Sequence, residues 1–94
     1  VNRTEHLLWI IAEECAEVAQ RVSKAARFTL DERQPGQDLT NEQRIWQEFN
    51  DLMAGMMMLG EERGYDGSDR AQIEMKKAKV EKFLAYSRRV GTLT

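Results

Sequence analysis

At 94 residues the chain has room for one domain, and a composition of 41% hydrophobic and 32% charged side chains excludes the disordered, fibrous and disulfide-scaffold classes. No apolar run approaches the roughly 20 residues that cross a bilayer. The polar first residues, with Leu7 to Ala12 running straight into Glu13 and Glu14, do not read as a signal peptide, so no membrane partner and a cytoplasmic location are expected. The net charge of −2 conceals an asymmetry: residues 1–69 carry −7 and residues 70–94 carry +5. An acidic body of that kind repels phosphate backbones, which argues against a nucleic-acid partner and leaves charge pairing between helices or subunits as the plain reading of the basic segment.

The first helix is expected to begin near Thr4, whose hydroxyl can cap the first turn, and to run to about Ala26. At about 100° per residue Leu7, Ile11, Val18 and Ala25 form one apolar stripe, and Glu14 falls within about 20–40° of its centre. Glu17 lines up with Ile10 and Phe28 at the edge of the same face. Cys15, the single cysteine, has no disulfide partner and no zinc-ligand spacing around it, and is expected to be a small buried helix residue. His6, in the first turn, reads as a surface or satisfied residue rather than a ligand.

Residues 29–40 break the periodicity and hold the turn dipeptide Pro35-Gly36, which makes them the longest loop. Thr40 followed by Gln43 has the form of a capping box, so the second helix should run from Asn41 to Arg63, with Gly64 as a left-handed C-cap. Its apolar stripe is Ile45, Phe49, Leu52 and Met56, with Glu48 at the edge beside Gly55 and Leu59. Met53, Met56, Met57 and Met58 suit bundle or subunit packing, where thioethers fill irregular gaps. Tyr65-Asp66-Gly67 makes a second turn, Ser68 is the expected N-cap of the third helix, and Ile73, Val80, Phe83 and Leu84 carry that helix to about Val90. Nothing alternates with period two. The expected fold is therefore all-α, a three-helix chain forming a bundle completed by homo-oligomerisation, because a chain this short buries only about 60–65% of its unfolded surface.

Two acidic pairs at i, i+3 spacing, Glu14 with Glu17 and Glu48 with Asp51, would each project two carboxylates from one side of a helix. Such spacing arises easily by chance among 16 acidic residues, but these pairs are aimed toward apolar faces. Ionised groups placed there need a positive partner, either a hard cation or structural salt bridges. In the third helix Lys76, Lys79 and Lys82 form a ladder with about 4.5 Å of rise per step. It suits a polyanion such as a triphosphate, or else forms a solvated basic face. Trp9 and Trp46 are core or interface anchors, with base stacking a further option for Trp46.

Glu13-Glu14-Cys15-Ala16-Glu17 followed by Glu48-Phe49-Asn50-Asp51 resembles the E-E-x-x-E … E-x-x-D signature of the MazG-like, all-α nucleoside triphosphate pyrophosphatases, over most of the chain. Lys76-x-x-Lys79-x-x-Lys82-Phe83 is similar to the Lys-x-x-Lys-Asn-x-x-Lys-Tyr segment of the dCTP pyrophosphatase branch. Two features depart from that pattern. About thirty residues separate Glu17 from Glu48, more than is usual there, and loop length of this kind is thermodynamically cheap. Val80 stands where the branch has asparagine. The resemblance implies a single domain over residues 1–94 that hydrolyses a nucleoside triphosphate to the monophosphate and pyrophosphate, as house-cleaning of unwanted nucleotides with a lean to deoxynucleotides such as dCTP. It implies Mg²⁺, for which Mn²⁺ can substitute, held by Glu14, Glu17, Glu48 and Asp51, with Glu13 behind those ligands or helping to activate water. Lys76, Lys79 and Lys82 would hold the β- and γ-phosphates. Trp46, Asn50 and Trp9 would be available to the base, in a pocket between subunits of a dimer or dimer-of-dimers tetramer. The alternative is a small helical interaction or regulatory module whose acidic pairs are salt-bridge partners. A di-metal carboxylate oxidase or metal carrier would want histidines beside the acids, and neither pair has one.

Overall fold

The computed structural model describes residues 1–94 and contains three helices, α1 (Arg3–Phe28), α2 (Asn41–Arg63) and α3 (Arg70–Arg89), with no strand. The fold is all-α, as expected. No helix is long and apolar enough to cross a membrane.

Each helix starts where a side-chain oxygen captures a free backbone N–H of the first turn. At α1 that residue is Asn2, whose side-chain oxygen accepts the Glu5 N–H at 2.8 Å, so Thr4 lies inside the first turn instead of capping it. At α2 the reciprocal capping box forms as the sequence predicts. The Gln43 N–H donates to Thr40 Oγ1 at 3.1 Å, and the Thr40 N–H donates to Gln43 Oε1 at 2.9 Å. At α3 the cap is Asp69, accepting the Gln72 N–H at 3.0 Å, rather than Ser68. Ser68 is already engaged: its N–H and hydroxyl both donate to Asp66 Oδ1, at 3.0 and 2.8 Å, and these bonds hold the Asp66 carboxyl below its ordinary pKa. Gly64 ends α2 in the left-handed conformation, φ 63°, as its position predicts.

α1 continues two residues past the expected Ala26 and stops at Thr29, a β-branched residue at φ 77°. That conformation is unfavourable by itself and is held from outside. Asn41, 3% exposed, donates through Nδ2 to the Thr29 carbonyl at 2.8 Å and to Glu32 Oε1 at 3.1 Å. The loop is further tied to the first turn of α2 by the Asn41 N–H to Glu32 O bond (2.9 Å) and the Glu42 N–H to Leu30 O bond (3.0 Å), and Arg44 Nη1 donates to Gln34 Oε1 at 3.2 Å. The turn at Pro35-Gly36, with Gly36 at φ 79°, is closed by the Gln37 N–H donating to Gln34 O.

α1 and α2 form an antiparallel hairpin, and α3 packs against neither. Arg3 Nε meets Glu62 Oε2 at 2.8 Å at one end of the hairpin, and Asn41 meets Thr29 at the other. Midway, Gly55 permits the closest approach: a Cβ there would lie 3.1 Å from Ile11 Cγ1. On α1 the seam follows the predicted stripe of Leu7, Ile11, Val18 and Ala25 with Glu14, and it also takes in Arg21; all six are buried or half-buried. On α2 it is rotated from the predicted stripe. Asn41, Ile45, Glu48, Leu52, Gly55 and Leu59 are covered, while Phe49 and Met56, expected inward, are exposed. Gly55 sets this rotation, because its missing side chain lets α1 settle on the Glu48 side of the helix.

Cys15 is exposed, contrary to its expected burial. It follows Glu14, which faces α2, and a step of about 100° turns it away from the seam. In the single chain only Leu7, Ala25, Asn41 and Gly55 are buried. Met53, Met56, Met57 and Met58 are exposed, and Met75 (73%) and Phe83 (58%) leave α3 with an uncovered apolar face. The chain measures 49 × 40 × 19 Å, a flat object with apolar sides.

Candidate metal centre

Two helices crossing at a glycine bring their neighbouring turns together, and here those turns are acidic. Ile11 is three residues before Glu14, and Gly55 is four residues after Asp51 and seven after Glu48, so the close contact draws the carboxylates toward one another. One oxygen from each of Glu14, Glu48 and Asp51 lies within 4.8 Å of the others. Glu14 and Glu48 are half-buried, and Asp51 sits at the exposed rim.

The electrostatics are unfavourable as they stand. Glu14 Oε2 is buried and has no hydrogen-bond partner. Desolvation pushes the Glu14 carboxyl above its ordinary pKa of 4.5, and the charges of Asp51 and Glu48, a proton-sharing contact with Glu48, and the charge of Glu17 all act in the same direction. The nearest cation is Arg21, whose Nε lies 3.9 Å from Glu48 Oε1, with the two side chains only 18% and 17% exposed. That separation is too long for a hydrogen bond. The Arg21 Nε is itself buried without a partner, so the one ion pair at the cluster leaves both sides under-satisfied.

The structure brings together three of the four predicted ligands. Glu17, one turn along α1, is half-buried and acts on Glu14 through its charge, but it stands outside the three-carboxylate set. Glu13 is exposed on the side of α1 away from the seam. Trp46 and Phe49 pack edge to face, with centroids 5.8 Å apart, and both remain exposed, as does Asn50. Trp9 lies with Glu5, Leu8 and Ala12 on an outer patch of α1. Lys76 borders an open cleft of about 1160 Å³ between the end of α2 and the start of α3, beside Met53, Met57 and Ile73. Lys79 and Lys82 are exposed farther along α3, and none of the three lysines pairs with the acidic cluster in the same chain. His6 is exposed and stands outside the cluster.

Sequence reasoning passed over Arg21 and Asn41. Arg21 could have been found by extending the Glu14, Glu17 pattern by one more turn. Asn41 could not, since its role depends on contacts with residues nine and twelve positions away.

The donor set fits a hard divalent cation. It is made of oxygen only, comes from two helices, and has a buried oxygen with its lone pairs unused. Mg²⁺ or Mn²⁺ accepts carboxylates while retaining several waters, whereas zinc would recruit His or Cys, and neither is present in the set. Compared with protein-family models, curated proteins and solved structures, the chain matches none.

Proposed function

We propose that this chain is a Mg²⁺-dependent nucleoside triphosphate pyrophosphohydrolase, converting NTP or dNTP and water to the monophosphate and pyrophosphate, and that it acts on unwanted nucleotides. The observation that carries this reading is the Glu14, Glu48 and Asp51 set with its buried, unpartnered Glu14 oxygen. The resemblance of the two acidic motifs and the lysine ladder to MazG-like pyrophosphatases supports the same reaction and a lean to deoxynucleotides such as dCTP.

Glu14, Glu48 and Asp51 would hold the cation, with Glu17 adding a fourth carboxylate from the next turn of α1. A cation held there would polarise the α-phosphate, acidify the attacking water and neutralise charge on the pyrophosphate. Glu13, exposed on the side of α1 away from the seam, would act on that water only through its charge or an intervening water molecule. Trp46, Asn50 or Trp9 would face the base. Because α3 packs on neither helix of its own chain, Lys76, Lys79 and Lys82 would reach a carboxylate set only in a neighbouring subunit. A second copy would also cover the exposed Met53 to Met58 run and the apolar side of α3, giving a dimer or a dimer of dimers.

The uncovered apolar faces equally suit a helical interaction module, in which the carboxylates would pair with basic side chains. Calorimetry with Mn²⁺ separates the two. The hydrolase reading expects binding by the wild type, with large losses in Glu48→Gln and Asp51→Asn while helix content is retained. An interaction module would give no heat in any of the three.

A further inference from the structure

The charged residues of the α1–α2 seam do not end at the carboxylates. On α1, Glu14, Glu17, Arg21 and Lys24 follow at spacings of three, four and three. On α2, Arg44, Glu48 and Asp51 follow at four and three. At about 100° per residue each set falls within an arc of about 80°, so the cations continue the same face that presents the acids. The hairpin is antiparallel and closes where Asn41 meets Thr29, which places Arg21 and Lys24 of α1 and Arg44 of α2 at the same, loop-side end of the seam.

All three cations are half-buried, yet they are poorly neutralised. Arg21 has only the 3.9 Å approach to Glu48, with its Nε buried and unpartnered. Arg44 donates to an uncharged acceptor, Gln34 Oε1, at 3.2 Å. Lys24 has no ion pair. Cations are rarely covered without an anion to match, because the desolvation cost is left uncompensated. Helical side chains lean toward the N-terminus of their helix, so Arg21 and Lys24 lean back along α1 toward Glu17 and Glu14. A linear polyanion anchored at the carboxylate set and running toward the loop would meet Arg21 first, then Lys24 and Arg44.

We propose that Arg21, Lys24 and Arg44 form a polyphosphate subsite continuous with the carboxylate set, which holds the β- and γ-phosphates of a bound nucleoside triphosphate. The assignment rests on the hydrolase reading above, and it moves the main phosphate-holding role from the α3 lysines to the hairpin itself. Guanidinium forks and an ammonium group are the donors that phosphate oxygens match best.

The probe is inorganic tripolyphosphate, titrated calorimetrically into the full chain in the presence of a chelator, so that no bound cation contributes and the seam cations must hold the anion against the repulsion of the carboxylates. The expected result is measurable binding by the wild type and a loss of roughly tenfold or more in Lys24→Gln and in Arg44→Gln, the size of one charge-assisted hydrogen bond. Lys24→Arg, which keeps the charge, should restore binding. Arg63→Gln, the same charge change at the far end of the hairpin, should leave it unaltered. Helix content by circular dichroism checks that each variant folds. A nucleoside triphosphate should displace tripolyphosphate far better than the monophosphate does. Unchanged affinity in Lys24→Gln and Arg44→Gln, an equal loss in Arg63→Gln, a loss confined to Lys79→Ala, or equal competition by a monophosphate would each overturn the assignment. Failure of the hydrolase reading looks different: tripolyphosphate binding would depend on the seam cations, while no triphosphate is turned over with Mg²⁺.

Discussion

Replacing Asn41 with alanine would remove the clasp that ends α1 and fixes the loop onto α2. The side chain is 3% exposed and donates to the Thr29 carbonyl at 2.8 Å and to Glu32 Oε1 at 3.1 Å. A neutral hydrogen bond contributes about 1 kcal/mol and one to a carboxylate about 1.5–3 kcal/mol, and Glu32 is half-exposed, so water can replace part of the second. The expected loss is about 2–3 kcal/mol, with the Thr29 carbonyl left unpaired at a residue already held at φ 77°. In a domain of this size about 1 kcal/mol moves Tm by about 4–8 °C, so Asn41→Ala should melt about 10–20 °C below the wild type. Asn41→Asp should do at least as badly, since it loses the donor and sets a second carboxylate beside Glu32. The assay is thermal circular dichroism at one fixed protein concentration, with Thr40→Ser as a neighbouring control that keeps the cap. A shift under about 3 °C in both Asn41 variants would show that the clasp holds nothing, and the account of why α1 ends at Phe28 would fail with it.

Other outcomes follow from the same geometry. Glu14 titrates above 4.5 in the folded chain, so between 4.5 and that raised value this group binds more protons in the folded state than in the unfolded one; its contribution to stability is fully present below 4.5 and is lost as pH rises through this window. Glu14→Gln should flatten that slope and raise the neutral-pH Tm of the metal-free chain while abolishing Mn²⁺ binding; parallel pH profiles for the two proteins would refute the crowding. Gly55→Val should push α1 and α2 apart, since even a Cβ would sit 3.1 Å from Ile11 Cγ1, and so weaken Mn²⁺ binding roughly tenfold or more without touching a ligand, as read by calorimetry. If α3 serves a neighbouring subunit, Lys79→Ala should raise KM or lower kcat with oligomer state intact, whereas unchanged constants in Lys76→Ala and Lys79→Ala would remove α3 from the site. Sedimentation should find a dimer or tetramer, and a stable, well-folded monomer at micromolar concentration would contradict the covering of the Met53 to Met58 face.

Legibility in the sequence followed the range of the interactions. α2 could be bounded at both ends because its capping box and its Gly64 cap use residues only a few positions apart. The caps of α1 and α3 lie one or two residues from the sequence expectation, since Asn2 and Thr4, or Asp66, Ser68 and Asp69, are all competent and the choice depends on which neighbour is already engaged. Glu14 and Glu48 were readable from their places on the helical wheel, and α1 does bury the predicted stripe. On α2 the seam is decided by Gly55 against Ile11, a contact across the hairpin, so Phe49 and Met56 looked inward on the wheel and lie outside. The same rotation brings Asp51 into the cluster and keeps Arg21 beside Glu48. Position alone could not show that α3 stands away from its own hairpin.

The central claim is that water attacks the α-phosphate of a triphosphate at the Glu14, Glu48 and Asp51 site. Turnover of a panel of nucleoside and deoxynucleoside triphosphates with Mg²⁺ in ¹⁸O-labelled water, with products resolved by mass spectrometry, tests it directly. The account predicts ¹⁸O in the nucleoside monophosphate and unlabelled pyrophosphate, with no product from Glu48→Gln or Asp51→Asn. Release of orthophosphate with a nucleoside diphosphate, label in the pyrophosphate, or no turnover of any triphosphate by the folded, Mg²⁺-supplied wild type would contradict it.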